Sequence, residues 1–141
     1  MKSLRVPLLL LGLTAPTVVV ATGFGGSDAP TRIPVPARVF NATVVDIGGT
    51  EVSVTRVSFN GEVAIYGLVG EAQVSVPFEK IAEVRVEPSG DPDTRVALVR
   101  LLTGESVRVV VEHDVPCYGD AAFGHYRIDA DKIRRITFPA P

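Results

Sequence analysis

Residues 73–86 (QVSVPFEKIAEVRV) recur 52 positions later as residues 125–138 (HYRIDADKIRRITF). In each copy two apolar residues alternate with polar ones, a four-residue turn ends in lysine, and apolar residues follow at spacings of three and two. Alternation is typical of a strand, and the single step of three indicates one tight helical turn that leads into a second strand. The repeat therefore predicts a strand–turn–strand motif that occurs twice.

Glycine positions outside the repeat extend this duplication. Gly49 and Gly104 lie in predicted turns at an offset of 55, whereas Gly67 and Gly119 return to the offset of 52. The stretch from Gly49 to Gly67 is therefore three residues longer than the corresponding stretch from Gly104 to Gly119. Gly67 falls within a predicted strand, where glycine permits a bend or a bulge.

Valine-rich segments separated by Gly and Pro favour strands over helices, so the expected fold class is all-β. We predict two homologous five-stranded units, a first β repeat at residues 37–87 and a second at 95–138, joined by a Pro-rich loop at 88–94. Before the repeated motif the predicted strands cover residues 38–47, 51–59 (followed by an Asn60–Gly61 hairpin turn) and 62–69 in the first unit, and 95–102 and 106–112 in the second.

The strand order of each unit resembles that of small SH3-like or Sm-like barrels, or a meander. A unit of about fifty residues buries little surface alone, and isolated domains of that size are marginally stable. We therefore expect the two units to share one core, as a pseudo-symmetric sandwich or as paired barrels.

The first 21 residues have the pattern of a secretory signal peptide. Lys2 and Arg5 precede a broken apolar run, and Val19 and Ala21 lie at −3 and −1 of a candidate cleavage site. The run is shorter than the ~20 residues that span a bilayer, so membrane contact is expected only through an uncleaved signal segment. We predict a periplasmic or extracellular protein.

Two short segments complete the predicted organisation. Residues 22–36 form a Gly- and Pro-rich linker, which acts either as a spacer or as a disordered start of the mature chain. Residues 139–141 form a tail. The chain of 141 residues is 46% hydrophobic, which excludes a fully disordered protein. Its formal net charge of −2 indicates no nucleic-acid binding, which requires a basic surface.

Both histidines and the only cysteine, His113, Cys117 and His125, fall within thirteen residues. Neutral imidazole and thiolate are ligands for Zn and Cu, so a periplasmic Cu or Zn protein, or a redox protein, is the alternative function. Their spacing matches no defined metal signature. The competing interpretation places the histidines in solvent and Cys117 buried in a connection between strands.

The two copies of the motif differ in charge at their outward positions. The first copy is more acidic and the second is basic, so unlike faces of two molecules could meet head to tail and build rings or filaments. Ordinary variation of surface charge is the alternative explanation. The residues of this candidate interaction surface are Glu79, Glu83 and Glu87 in the first copy and Lys132, Arg134 and Arg135 in the second.

No motif of a known catalytic class is present: the chain has no G-x-S-x-G, no H-E-x-x-H and no phosphate-binding glycine loop before a helix. We therefore predict that the protein is not an enzyme and needs no cofactor. The expected function is that of an exported structural or protein-interaction module of the cell envelope. Its partner would be an envelope protein or a second copy of the chain, bound through exposed strand edges.

Overall fold

The computed structural model describes residues 32–141. The predicted signal peptide and residues 22–31 of the predicted linker lie outside the described residues. Ten strands follow one another in the described part: β1 (Ala42–Asp46), β2 (Glu51–Phe59), β3 (Ala64–Val69), β4 (Ala72–Pro77), β5 (Ile81–Pro88), β6 (Thr94–Leu101), β7 (Ser106–Glu112), β8 (Pro116–Ala121), β9 (Gly124–Asp129) and β10 (Ile133–Thr137).

The ten strands form one antiparallel sheet that curls into a half-barrel, in the order β4-β3-β7-β6-β5-β10-β1-β2-β8-β9. The predicted all-β class is confirmed. Two single 3-10 turns, Phe78–Lys80 and Ala130–Lys132, are the only helical elements among residues 32–141. None of the helical segments in this range has the length and hydrophobicity needed to cross a membrane.

The repeated motif folds as strand, turn and strand in both copies. The first 3-10 turn joins β4 to β5 and the second joins β9 to β10. The turn lies before the step of three, however, and the prediction that this step is itself a helical turn is wrong. Both steps begin at an irregularity in strand pairing, at Ile81 in β5 and at Ile133 in β10. A β-bulge adds a residue to one strand, so apolar side chains three apart reach the same face.

The Asn60–Gly61 turn forms, but it does not join a paired hairpin. Asn60 and Gly61 have φ values of 56° and 87°, the left-handed conformation that the predicted turn requires. Only one bridge, between Phe59 and Glu62, follows the turn, after which the strands separate. In the sheet β2 pairs with β8, and β3 pairs with β4 and β7. The predicted β2–β3 hairpin is therefore wrong.

The buried apolar residues of the described part form one cluster, which draws on strands from both halves of the chain. Alternating residues of the two end strands β4 and β9, Val74, Val76, Tyr126 and Ile128, pack against this cluster half-buried. The side chains with the least exposure include Val44, Val54, Ile65, Ile81, Val84, Val99, Val109, Cys117 and Ile133.

Candidate functional site

The structure pairs each histidine of the candidate metal set with an aspartate. His113 Nδ1 lies 3.2 Å from Asp131 Oδ2, and His125 Nδ1 lies 3.0 Å from Asp120 Oδ1. The hydrogen bond with Asp131 is the main cause that raises the pKa of His113 above its usual value. His125 is exposed, as predicted. Within residues 32–141 no three His, Cys, Asp or Glu side chains are grouped so that they could hold a metal ion.

Cys117 lies in strand β8, and its predicted placement in a connection between strands is wrong. It pairs with Phe59 of β2 and Ile128 of β9 in the sheet. Its predicted burial is confirmed, since the residue is 1% exposed. Burial in apolar surroundings raises the pKa of the thiol to about 12, so the thiol stays protonated at neutral pH. The thiolate that binds metals or attacks disulfides is therefore disfavoured.

The acidic and basic copies of the motif meet inside the molecule. β5 and β10 are neighbours at the centre of the sheet, with Arg135 opposite Arg85 and Thr137 opposite Glu83. Glu83 forms ion pairs with Arg85, at 3.0 Å, and with Arg100, at 3.8 Å. The backbone edges of these two strands are therefore occupied and cannot accept a strand from another chain.

The outer members of the charged set also have partners within the chain. Glu79 is 2.9 Å from Arg38, and Glu87 is 3.9 Å from Arg108. Such exposed ion pairs contribute little to stability. On the basic side, Lys132 lies 3.8 Å from Asp131 and Arg134 donates to the carbonyl oxygen of Ile47 at 3.0 Å, while Arg135 is half-buried.

Two surface grooves lie where strands from the two halves of the chain are neighbours. The β3–β7 groove, of about 440 Å³, lies where these strands pair only at Leu68 and Val110. The β2–β8 groove, of about 550 Å³, lies where the pairing shifts between Thr55 and Ser58. The β2–β8 groove also extends over β1 and β10, at Thr43 and Thr137.

The β3–β7 groove has mainly apolar walls. Tyr66 and Leu68 are 47% and 41% exposed on β3, although both are large hydrophobic side chains. Val74, Val110, Val111 and Val115 complete the apolar side chains of the lining. Exposed apolar side chains beside a concave surface are typical of binding sites.

The β2–β8 groove carries polar side chains over a small apolar floor. Its polar lining consists of hydroxyl and amide groups together with one carboxylate, that of Asp120. Asp120 also contacts His125, which lies opposite it on β9 and is not itself part of the lining. The polar side chains of the lining are Asn41, Thr43, Ser53, Thr55, Asp120 and Thr137.

Asp120 is the centre of a hydrogen-bonded trio formed with Arg56 and His125. Arg56 Nε donates to Asp120 Oδ2 at 2.6 Å, and the other carboxylate oxygen faces His125. The Arg56 guanidinium is the main cause that lowers the pKa of Asp120, and His125 adds to the effect. When His125 Nδ1 carries the proton and donates it to Asp120, Nε2 is left as an acceptor toward solvent. The trio can thus present both hydrogen-bond donors and acceptors to a ligand.

No local pattern of the amino-acid sequence predicted this trio, because Arg56 and Asp120 are 64 positions apart. A signal for it was present, since Arg56 lies in the stretch where the offset between the two halves changes from 55 to 52. In the structure Arg56 has φ 51° at the irregularity in β2, a conformation that is rare for residues other than glycine. Bulges of this kind redirect a side chain, here toward Asp120.

We expect Asp120→Asn to destabilise the protein most at neutral pH. The lowered pKa of the Asp120 carboxyl contributes stability that is present above its unfolded-state pKa, about 3.9, and is lost as the pH falls through the folded-state value. Urea unfolding at pH 7 and at about pH 3 should therefore show a difference between wild type and variant that shrinks in acid. Glu62→Gln, at an exposed position, is the control. An Asp120→Asn effect of equal size at both pH values would contradict the assignment.

Neither the comparison with curated proteins nor the comparison with solved structures found a match. A protein-family model matches residues 36–140, which include every strand of the sheet. The chain therefore belongs to the family that this model defines, whose description is "Uncharacterised protein".

Proposed function

We propose that the protein is a non-catalytic interaction module of the cell envelope, which binds an extended segment of a partner protein as an added strand along β4. The observation that carries the proposal is the free edge of β4 beside the apolar β3–β7 groove. In this mode of recognition, main-chain hydrogen bonds supply affinity and pockets for alternate side chains supply specificity.

β4 is the first strand of the sheet and pairs only with β3 among the described residues. Val69 and Ala72 close a two-residue turn and form a hydrogen-bonded pair. Because such pairs alternate with non-hydrogen-bonded ones, the main-chain N–H and C=O groups of Gln73 and Ser75 point away from β3. These N–H and C=O groups are available to another strand. β4 thus offers the hydrogen-bonding pattern that strand addition requires.

The composition of β4 distinguishes it from β9, the strand at the opposite end of the sheet. β4 (AQVSVP) carries no charged residue, whereas β9 (GHYRID) carries Arg127 and Asp129, which pair at 3.1 Å. Charged side chains on an edge strand oppose the addition of further strands. β4 lacks this protection, which supports its role as the binding edge.

The proposal includes an internal duplication of two five-stranded units that exchange their first two strands. If each strand of β1–β5 exchanges its number with its counterpart in β6–β10, the observed strand order becomes the same order read backwards. The sheet is therefore consistent with two equivalent units. Each half of the sheet then combines the first two strands of one unit with the last three of the other. An exchange of this kind accounts for the separation of β2 from β3 after the Asn60–Gly61 turn.

Backbone hydrogen bonds at equivalent positions support the duplication. Ile47 N donates to Lys132 O, and Leu102 N donates to Lys80 O, both at 2.9 Å. The donors differ by 55 positions and the acceptors by 52, as the sequence offsets require. In both cases the turn after the first strand of one unit contacts the 3-10 turn of the other.

Export is the remaining part of the proposal, and it rests on the amino-acid sequence of residues 1–21. The positive residues, the apolar run and the small residues at the candidate cleavage site are its support. In the periplasm or outside the cell, a protein with one buried thiol depends on its apolar core for stability.

A photo-crosslinking residue in place of Gln73 tests the binding edge in cells that produce the full chain. We expect an adduct with an envelope protein, and we expect a peptide from the crosslinked segment to bind the purified protein. Ser75→Pro should abolish this binding, because proline removes an outward N–H and leaves the ladder with β3 intact.

Arg127→Pro is the matched control, since Arg127 occupies the equivalent position on β9. It should leave peptide binding unchanged. An adduct with twice the mass of the chain would identify a second copy as the partner. Equal loss of binding in both proline variants, or no adduct at Gln73, would contradict binding along β4.

A further inference from the structure

The β2–β8 groove differs in chemistry from the β3–β7 groove, although the two include equivalent strand pairings, Thr55 with Asp120 and Val110 with Leu68. At the β3–β7 groove the cross-strand pair is Leu68 and Gln73, and 52 positions later the same pair is Asp120 and His125. An uncharged pair is therefore sufficient for the pairing of these strands. The hydrogen-bonded pair of Asp120 and His125 at the β2–β8 groove needs another explanation.

Arg56, which contacts Asp120 of this pair, comes from a stretch that is three residues shorter in the second half of the chain. The offset falls from 55 to 52 between Thr55 and Val63, so three residues of this stretch have no counterpart in the second half, and the irregularity of β2 between Thr55 and Ser58 lies within it. Arg56 adopts φ 51°, and Ser58 is fully buried with no hydrogen-bond partner for its Oγ among the described residues. Both features destabilise the fold. Strain of this kind concentrates at functional sites, where a side chain must be held in a defined place.

The charges of the groove indicate an uncharged ligand. Arg56 and Asp120 form an ion pair, so neither charge is free to bind a counter-ion. The other polar side chains of the lining are hydroxyl and amide groups, each of which can donate and accept hydrogen bonds. A ligand with many hydroxyl groups satisfies such a lining better than an ion does.

The apolar part of the groove can contact the C–H groups of such a ligand. Ala42, Val54, Ala121 and Pro139 provide small apolar surfaces between the polar groups. Phe123, 73% exposed in the turn between β8 and β9, lies one residue beyond Ala122 of the lining. Exposed aromatic rings with a nearby polar groove provide a face on which the C–H groups of a sugar ring can lie.

From these observations we propose that the β2–β8 groove binds a neutral saccharide. Asp120 and His125 contact its hydroxyl groups, Arg56 holds Asp120 in position, and Phe123 covers one face of a ring. The groove volume of about 550 Å³ falls within the range of ligand sites, roughly 300–1,000 Å³. The site is separate from the edge of β4, so saccharide and protein ligands can bind together.

Titration calorimetry and saturation-transfer NMR with maltotetraose, cellotetraose and chitotetraose test this site on the full chain. We expect at least one of these oligosaccharides to bind with a millimolar or lower Kd, with saturation transfer to its ring protons. The double variant Asp120→Leu/His125→Gln gives this groove the pair found at the β3–β7 groove. It should weaken binding about tenfold or more, the scale of one hydrogen bond to a charged group.

Two exposed positions keep the test informative if the double variant does not fold. His125→Gln alone and Phe123→Ala should each weaken binding, while circular dichroism shows that both variants keep the wild-type fold. Leu68→Ala, in the β3–β7 groove, should leave saccharide binding unchanged. The absence of binding by all three oligosaccharides, or equal weakening by Leu68→Ala, would overturn the proposal.

Discussion

Ile133→Asp should leave the whole sheet unfolded, in both halves of the chain at once. Ile133 is 2% exposed and belongs to the single buried cluster, beside strands that come from both halves. The variant loses about 2–5 kcal/mol of apolar burial and packing, and it also has to bury a carboxylate without a partner. This total is comparable with the free energy of unfolding of a whole domain, about 5–15 kcal/mol.

The milder variants Ile81→Ala and Ile133→Ala measure the cooperativity of the fold. Each should lower the free energy of unfolding by about 2–5 kcal/mol in a single transition. Hydrogen exchange followed by mass spectrometry can monitor peptides from β2 and β7 separately, and both should lose protection together.

Ile47→Asp is the control for these substitutions, because Ile47 is 56% exposed. Its effect should stay within about 0.5 kcal/mol of the wild type. Two separate unfolding transitions in Ile133→Ala, with β2 and β7 losing protection at different denaturant concentrations, would contradict a shared core.

Among the glycines of residues 32–141, Gly67 should be the one whose replacement by alanine destabilises the protein most. A Cβ at Gly67 would lie 2.2 Å from the carbonyl oxygen of Val110 and 2.7 Å from Val109 Cγ1. The carbonyl belongs to the neighbouring strand and cannot move without separating β3 from β7. Overpacking typically costs about 1–3 kcal/mol, and here we expect about 3 kcal/mol or more by urea unfolding.

Gly119→Ala and Gly104→Ala provide a graded comparison. A Cβ at Gly119 would lie 2.9 Å from Val54 Cβ, so we expect a smaller loss, about 1–3 kcal/mol. Gly104 has φ 97° and open space around it, and its substitution costs only the strain of a left-handed backbone, about 1–2 kcal/mol. If Gly67→Ala were no more destabilising than Gly104→Ala, the close approach of β3 and β7 would be contradicted.

These glycines show how one sequence feature can be recognised and still be misinterpreted. The offset of 52 between Gly67 and Gly119 was visible in the sequence, and a bend or bulge was the expected reason. In the structure each glycine instead lies against a valine on the second strand of the other half. Gly67 lies against Val109 of β7, and Gly119 lies against Val54 of β2. Val54 and Val109 differ by 55 positions, so the contacts follow the same offsets as the turns.

The amino-acid sequence by itself determined the features that depend on neighbouring residues. Alternating apolar residues located β2 and β7 at their observed bounds, and Gly49 and Gly104 were correctly assigned to turns with positive φ. The all-β class followed from the Val-rich segments between Gly and Pro, whereas the burial of Cys117 was one of two open interpretations. These properties are local, because side chains alternate along a strand and turns need particular backbone angles whatever the rest of the fold is.

Only the tertiary structure decided which strands are neighbours and which side chains meet. β2 lies beside β8 and β5 beside β10, pairings between residues far apart in the chain that no local pattern specifies. The trio of Arg56, Asp120 and His125 arises from one such pairing together with a bulge that turns Arg56 toward β8. Strand neighbours are selected by the burial of a common core, so contacts across them depend on the whole sheet.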